Sequence, residues 1–361
     1  MAKLKNQTLL HKDKPLFGID IGRSSVKVIQ IDTSEPGKNP RVVGYGNAPT
    51  DPHAIKKGLI VDPEAIARVL FDLVSKNIVG SISTRRVALS LPNEHCFSRI
   101  ISLPKMDTKD IQSAVASEAE SSITIPLDQL YYDYEIMKTE ADGSIEVQLV
   151  AAPKNIVDSY LVVTDALGLE VAHIETNITA VTRVVAHSEP VKDVVTLIVD
   201  FGSTAADLSI FDGKTARITG TADCGSDRIT ELISEKLGVS TRQAYTIKNR
   251  FGLELSKKQK DISDAIQGEL SKLISEIKKV QRYYAEHSPV GEIGQIIILG
   301  GGATLPGFST YITDQIRVPT RLCNPWGKID FGKLQPPSQV ETTMYATCSG
   351  LALITPEELK S

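Results

Sequence analysis

No apolar run in the sequence approaches the length needed to span a membrane. There is no C-x-x-C pair either. Four cysteines stand at 96, 224, 323 and 348, and the N-terminus lacks the apolar stretch of a secretory signal. These absences argue against a disulfide framework, and reduced thiols in a cytoplasmic protein are expected. The six histidines form no H-x-x-x-H pattern, and His95 beside Cys96 has no second ligand pair, so no zinc-type site is expected. Strong charge of one sign is also missing. The formal net charge is -4, without the basic excess of a nucleic-acid binder, so no nucleic-acid partner is expected. Two phosphate-binding signatures are absent as well: the P-loop G-x-x-x-x-G-K-S/T, and G-x-G-x-x-G placed between a strand and a helix.

What is present fits two lobes. A chain of 361 residues with 41% hydrophobic content is too long for one compact core and leaves room for an inserted unit. The first residues, MAKLKNQTLLHKDK, carry four lysines and little apolar content. Residues 1–15 are therefore expected to form a flexible basic tail, with a membrane-surface or partner contact as the other reading.

FGIDIGRSSVKVIQID, Phe17 to Asp32, reads as a β-hairpin around a Gly-Arg-Ser-Ser turn. A strand follows from Arg41 to Tyr45. A helix capped by Asp62 starts at Pro63, and a buried strand covers Arg86 to Leu91. From about Asn93 to Gly168 the order changes to β-α-β-β-α: a strand from Cys96 to Leu103, a helix capped at Thr108, strands Leu130 to Lys138 and Ser144 to Ala152, and a helix from Asn155 to Ala166. That order suits a small inserted α+β unit. VVTLIVDFGSTAADLSIFD, Val194 to Asp212, then repeats the opening theme. Helices are expected at Asp227 to Lys236, Thr241 to Asn249 and Asp261 to Ala285. A strand follows at Gln295 to Leu299, and a last helix at Thr342 to Leu353.

Asp20 and Asp200 hold the same place in the two hairpins, half a chain apart, as expected of two lobes built alike. Gly22 and Gly202 let the backbone turn sharply. Ser24, Ser203 and Thr204 are small enough to admit a phosphate oxygen, and successive backbone N–H groups there make an anion nest. Asp20 and Asp200 are placed to hold Mg²⁺ through its waters beside a polyphosphate. Gly300, Gly301 and Gly302, in ILGGGATLPGF, suit a loop against adenosine; the competing reading is a tight strand-to-helix turn.

These three segments, in this order, resemble the phosphate and adenosine motifs of the actin-like ATPase superfamily. With IKKGLIVDPEAI and GSDRITELISEKLGVSTRQAYTIKNRFG, the chain resembles two bacterial families within it, type IV pilus assembly protein PilM and cell-division protein FtsA. The resemblance runs from about residue 16 to 353. It implies an α/β fold of two ribonuclease H-like halves with an inserted α+β subdomain called 1C. The division implied is 16–92 with 169–192 and 342–355 for the first lobe, 93–168 for the insert, 193–224 with 291–341 for the second lobe, and 225–290 for a helical subdomain. It implies ATP or ADP with Mg²⁺, contacted by Gly22, Arg23, Ser24, Ser25 and Lys27, by Gly202, Ser203 and Thr204, by Gly225 and Lys248, and by Gly300, Gly301, Gly302 and Thr304. Glu175 falls where these families place an acidic residue on the connecting helix, to position or deprotonate water; an ordinary helix N-terminal carboxylate is the other reading.

PilM is the nearer of the two, since no basic-aromatic amphipathic helix is visible after the last core helix. By that resemblance the partners are the N-terminal tail of the inner-membrane protein PilN, the pilus assembly ATPase and the platform protein, with self-association open and membrane contact indirect. Three departures, Arg23, Ala205 and Tyr245, imply nucleotide binding with slow hydrolysis or none. The alternatives are an FtsA-like filament and membrane tether, and a small-molecule kinase, for which no acceptor site or base is visible.

Overall fold

The computed structural model describes residues 15–35, 37–254, 256–257, 259–287, 291–355 and 358–359. Apart from Pro15, the expected basic tail 1–15 lies outside the described residues.

The chain opens with β1 (Phe17–Ile21), β2 (Ser25–Asp32) and β3 (Arg41–Pro49), joined as an antiparallel meander. A two-residue-stranded hairpin follows, β4 (Ile55–Lys56) and β5 (Leu59–Ile60). Helix α1 (Pro63–Lys76) begins where Asp62 accepts the Ala65 amide and Pro63 gives up no needed donor. Then come β6 (Val79–Gly80) and the fully buried β7 (Arg86–Leu91). The insert contributes β8 (Phe97–Leu103), α2 (Thr108–Ser122), β9 (Leu130–Thr139), β10 (Ile145–Pro153) and α3 (Lys154–Ala166). Thr108 is the first helical residue of α2 rather than its cap. Asp107 holds the cap position, without a side-chain bond.

β11 (Glu170–Thr176) and α4 (Asn177–Ser188) return to the first lobe. The second lobe holds β12 (Val195–Phe201), β13 (Ala206–Phe211), β14 (Ala216–Ala222), α5 (Ser226–Leu237), α6 (Thr241–Phe251), α7 (Gln259–His287), β15 (Ile293–Leu299), α8 (Phe308–Ile316) and β16 (Thr320–Leu322). The expected last helix is broken. A single turn, Gln339–Thr342, and a 3-10 turn, Thr343–Tyr345, precede α9 (Ala346–Ala352).

The two large sheets repeat one topology. The first runs β11-β7-β1-β2-β3, with β6 added beyond β3; the second runs β16-β15-β12-β13-β14. In each, an antiparallel meander is extended on its first strand by two parallel strands. Two halves of one topology are what the sequence repeat predicts. The second half buries Leu197, Val199, Leu208 and Ile210 under α7, whose Ile262, Ile266, Leu270, Leu273 and Ile277 form one helical stripe.

A third cluster joins the halves. Ile29 and Tyr45 of the first sheet and Ile198 and Ile297 of the second meet around α4 and α9. These helices touch backbone to backbone: a Cβ on Gly350 would lie 1.8 Å from the Ala180 carbonyl oxygen. The insert has its own sheet, β8-β10-β9, with its own core of Ile101, Ile111, Val115, Val147 and Leu149. Its last helix, α3, instead turns Ile156, Val157, Tyr160 and Val163 into the first lobe's core beside Ile66 and Leu70 of α1. Among the described residues no helix is long and apolar enough to cross a membrane.

Candidate functional site

The two hairpins carry matching turns. Gly22 N–H donates to the Ser25 carbonyl at 3.0 Å, and Gly202 N–H donates to the Ala205 carbonyl at 3.0 Å. The amides of Arg23, Ser24, Ser203 and Thr204 at the tips have no backbone acceptor among the described residues, leaving donors for an anion. Both tips line one cavity of about 1200 Å³ between the lobes. All the expected site residues line it except Gly225, Gly302 and Glu175.

Gly225 and Gly302 stand behind the wall. A Cβ on Gly225 would meet the Ser203 carbonyl oxygen at 2.3 Å, and one on Gly302 would press on Phe201 and Ser226. Their smallness lets α5 and the glycine loop close on the second hairpin, so they shape the cleft without facing it. Gly300 does both. It faces the cavity at φ +90°, and a Cβ there would lie 2.3 Å from Asp200 Oδ1.

The cross-strand register explains the charges. Asp20 lies opposite Lys27 across the first hairpin, and Asp200 opposite Asp207 across the second. One hairpin is therefore charge-paired and the other is not. Lys27 Nζ donates to Asp20 Oδ2 at 2.9 Å, and Ser90 Oγ to Asp20 Oδ1 at 3.3 Å. Burial opposes the Lys27 charge, but the Asp20 carboxylate outweighs it and holds that pKa above the ordinary lysine value. Asp200 has no such cation in contact. Burial, then the charges of Asp207 and Asp20, push its pKa to about 7, with Lys27 opposing. Asp207 is raised too, first by burial, although Thr221 Oγ1 and Asn177 Nδ2 each donate to it at 2.7 Å.

Asp207 was missed by sequence reasoning. The signal was available: it sits seven residues after Asp200, as Lys27 sits seven after Asp20. The excess negative charge on the second hairpin suits a cation. Among the described residues, no three His, Cys, Asp or Glu side chains form a direct metal-ligand set.

Arg23, in the first turn, lines the cavity. Its Nε donates to the Pro52 carbonyl at 3.2 Å, so the guanidinium lies along a first-lobe loop at the cleft mouth. Ser24 Oγ reaches across to Asp227 Oδ2 of α5 at 3.1 Å. The same helix start is tied to the second hairpin, through Ser226 N–H to the Gly202 carbonyl and Asp227 N–H to the Ser203 carbonyl. Lys248 on α6 is only 5% exposed and donates to the Ser226 carbonyl at 3.0 Å. Burial lowers its pKa to about 8, with Asp227 opposing. The ring of Tyr245 lies 5.1 Å from its ammonium and is 58% exposed at the rim.

Glu175 corrects the expectation placed on it. It is the second-last residue of β11 instead of standing on the connecting helix, which starts at Asn177 after the Thr176 cap. Both its oxygens accept from Arg183, at 2.5 and 2.9 Å, with His173 Nε2 at 3.3 Å. Burial would raise its pKa, but Arg183 and His173 hold it below the usual value. A carboxylate spent this way, outside the cavity lining, has no place for a reacting water. The residue that does face the cavity is Asn177.

A family model described as type IV pilus assembly protein PilM matches residues 18–355. The cell division protein FtsA of Enterococcus hirae is 24% identical over 338 residues, 80% of this chain and 74% of that protein. FtsA of Bacillus subtilis is 21% identical over 366 residues, 88% of this chain and 80% of its own. Among solved structures, a PilM-PilN type IV pilus biogenesis complex superposes with a TM-score of 0.81 at 24% identity, covering 94% of this chain and 97% of that one. MreB 5 of Spiroplasma citri bound to AMPPNP gives 0.56 at 13% identity, covering 94% and 95%. With its two matched halves and a family match over nearly all its length, the chain belongs to the type IV pilus assembly protein PilM family and has the actin-like fold.

Proposed function

We propose that the chain is a nucleotide-responsive scaffold of type IV pilus assembly. The observation that carries this is the shared cavity lined by both hairpin tips, with carboxylates that have no cation in contact on one side and amides without a backbone acceptor on both. The residues fit ATP or ADP with Mg²⁺. Asp200 and Asp207, with Asp20 beside them, are the groups that would hold the cation. The hairpin tips and Lys27 would take the phosphates. Gly300, Gly301, Thr304 and Lys248 would face the nucleoside. Mg²⁺ would supply charge neutralisation for the phosphates.

The same residues favour holding a nucleotide over splitting it. Asn177 is an amide and takes no proton from water. Asp207 is one of the groups that would be taken up by the cation, and Glu175 is outside the cavity. Binding in the cleft would bias the angle between lobes joined around α4 and α9.

The solved relative is a complex with PilN, and on this reading the chain captures the N-terminal tail of PilN beside its inserted unit, residues 93–168. It would then be cytoplasmic, held at the inner membrane through partners, and would link PilN to the assembly ATPase and platform protein. The first lobe, second lobe and helical subdomain would divide as the sequence suggests, with α3 counted to the first lobe. The matches to FtsA favour a filament-forming tether as the second reading. Calorimetric titration of a synthetic PilN tail peptide, beside phosphate release from ATP, separates them. Peptide capture with negligible turnover supports the scaffold. ATP-dependent filaments in sedimentation, without peptide capture, would replace it with the tether.

A further inference from the structure

Four polar residues close a hydrogen-bonded ring where the lobes and the insert meet. Asn93 opens the 3-10 turn Asn93–His95, through which β7 of the first lobe leads into β8 of the insert. Its N–H donates to Asn177 Oδ1 at 3.1 Å. Asn177 Nδ2 donates to Asp207 Oδ2 at 2.7 Å. Thr221 Oγ1 donates to Asp207 Oδ1 at 2.7 Å. Asn93 Nδ2 returns to Thr221 Oγ1 at 3.4 Å. The members come from the root of the insert, the start of α4, and two strands of the second lobe.

Each member is used on both sides. The Asn177 amide accepts with its oxygen and donates with its nitrogen. The Thr221 hydroxyl accepts and donates. Asp207 is the one charge in the ring, and Asp207 and Asn177 line the cavity while Asn93 and Thr221 do not. The ring therefore has one side in the cleft and the other in the joint of the insert. Strand β14, which carries Thr221, grips the insert a second time. Arg217, four residues earlier, donates to Glu146 of β10 at 3.2 Å and to Asp212 at 2.5 Å. A shift of β14 is thus felt at the root of the insert and on its sheet.

We propose that this ring is the relay by which occupation of the cleft sets the attitude of the inserted unit. The relay has two arrangements. With the ring closed, both Asp207 oxygens take donors from Asn177 and Thr221. When Asp207 turns toward a cation in the cleft, those two donors are released, and Asn93 loses the fixed partners that hold the root. A bistable polar element biased from one side and read from the other is what coupling between sites requires. The inference rests on the reading that a nucleotide and Mg²⁺ enter the cleft. It adds which residues pass that event on.

The test uses the whole chain as wild type, Thr221→Val, Asn93→Ala and the conservative Thr221→Ser. ATP affinity with MgCl₂ is measured first by calorimetry. Hydrogen exchange is then followed in 97–103 and 145–153, two of the three strands of the insert, with and without ATP and MgCl₂. The expected result is that nucleotide changes exchange in these strands in wild type and Thr221→Ser. Thr221→Val and Asn93→Ala are expected to bind nucleotide and lose the response. The coupling lost should lie in the ordinary range of about 5- to 150-fold. Nucleotide binding that leaves exchange in the insert unchanged overturns the relay alone. So does a full response in both Thr221→Val and Asn93→Ala. No binding of ATP by wild type overturns the relay together with the proposed function.

Discussion

Lys248 is an ammonium buried where water cannot pay for its charge, and its pKa of about 8 lies below the 10.5 of a free lysine. Between those values the unfolded chain binds more protons than the folded one, so stability rises with pH across that window. Below pH 8 the cost is fully present. Lys248→Met is expected to stabilise the unliganded protein at pH 7 by about 1 to 3 kcal/mol, less what the Ser226 bond contributes. The gain should fade as pH rises from 8 to 10.5. Urea unfolding at pH 7 and pH 10 checks it; a gain that is the same at both would contradict the assignment. Gly300 makes a second prediction. At φ +90°, with Asp200 Oδ1 in the way, Gly300→Ala should cost about 1 to 3 kcal/mol from strain and lower Tm, while Gly301→Ala, with nothing within 4 Å of its Cβ, should leave Tm near wild type.

Single residues were unevenly legible. Asp20, Asp200 and the turn residues were readable because the repeat shows them twice. Asp207 was readable by the same repeat, but its partner position holds Lys27, and the change of sign hid the correspondence. Glu175 misled because its partner, Arg183, lies eight residues on. No local pattern announces an ion pair formed between the end of a strand and the second turn of a helix.

At the scale of elements, the order of strands and helices was largely open to reading. Alternation from Ser25 to Val28 in β2 and the stripe along α7 follow directly from which faces are buried. The allegiance of α3 was not readable. Its apolar face has the same spacing whether it covers the insert or the first lobe, and only the packing against α1 decides. The break before α9 was also hidden, since nothing in Thr342 to Leu353 is a helix breaker of the proline kind.

Helices α4 and α9 meet backbone to backbone at Gly350 and Ala180. Gly350→Ala must push the two helices apart, and with them the lobes. It is expected to cost about 3 kcal/mol, at the upper end for overpacking, and to lower Tm in a thermal melt. An unchanged Tm would show that the helices are not held together there. Arg217→Met tests the grip of β14 on the insert. It leaves Asp212 buried without its cation, so a loss of about 3 kcal/mol is expected, with faster hydrogen exchange at 145–153.

For the whole molecule, the repeat of one sheet topology is the organising fact. It places two like turns on one cavity, one with Lys27 paired to its carboxylate and one where Asp200 and Asp207 face each other with no cation in contact. The account stands on both turns serving a single ligand. Calorimetric titration of ATP, with and without Mg²⁺, on wild type, Lys27→Met and Asp200→Asn tests this most directly. The account expects one ATP per wild-type chain. It expects a loss of about tenfold or more for each variant, in keeping with a charge-assisted contact, and loss of the Mg²⁺ dependence in Asp200→Asn. Failure of wild type to bind ATP, or full affinity in either variant, would contradict it.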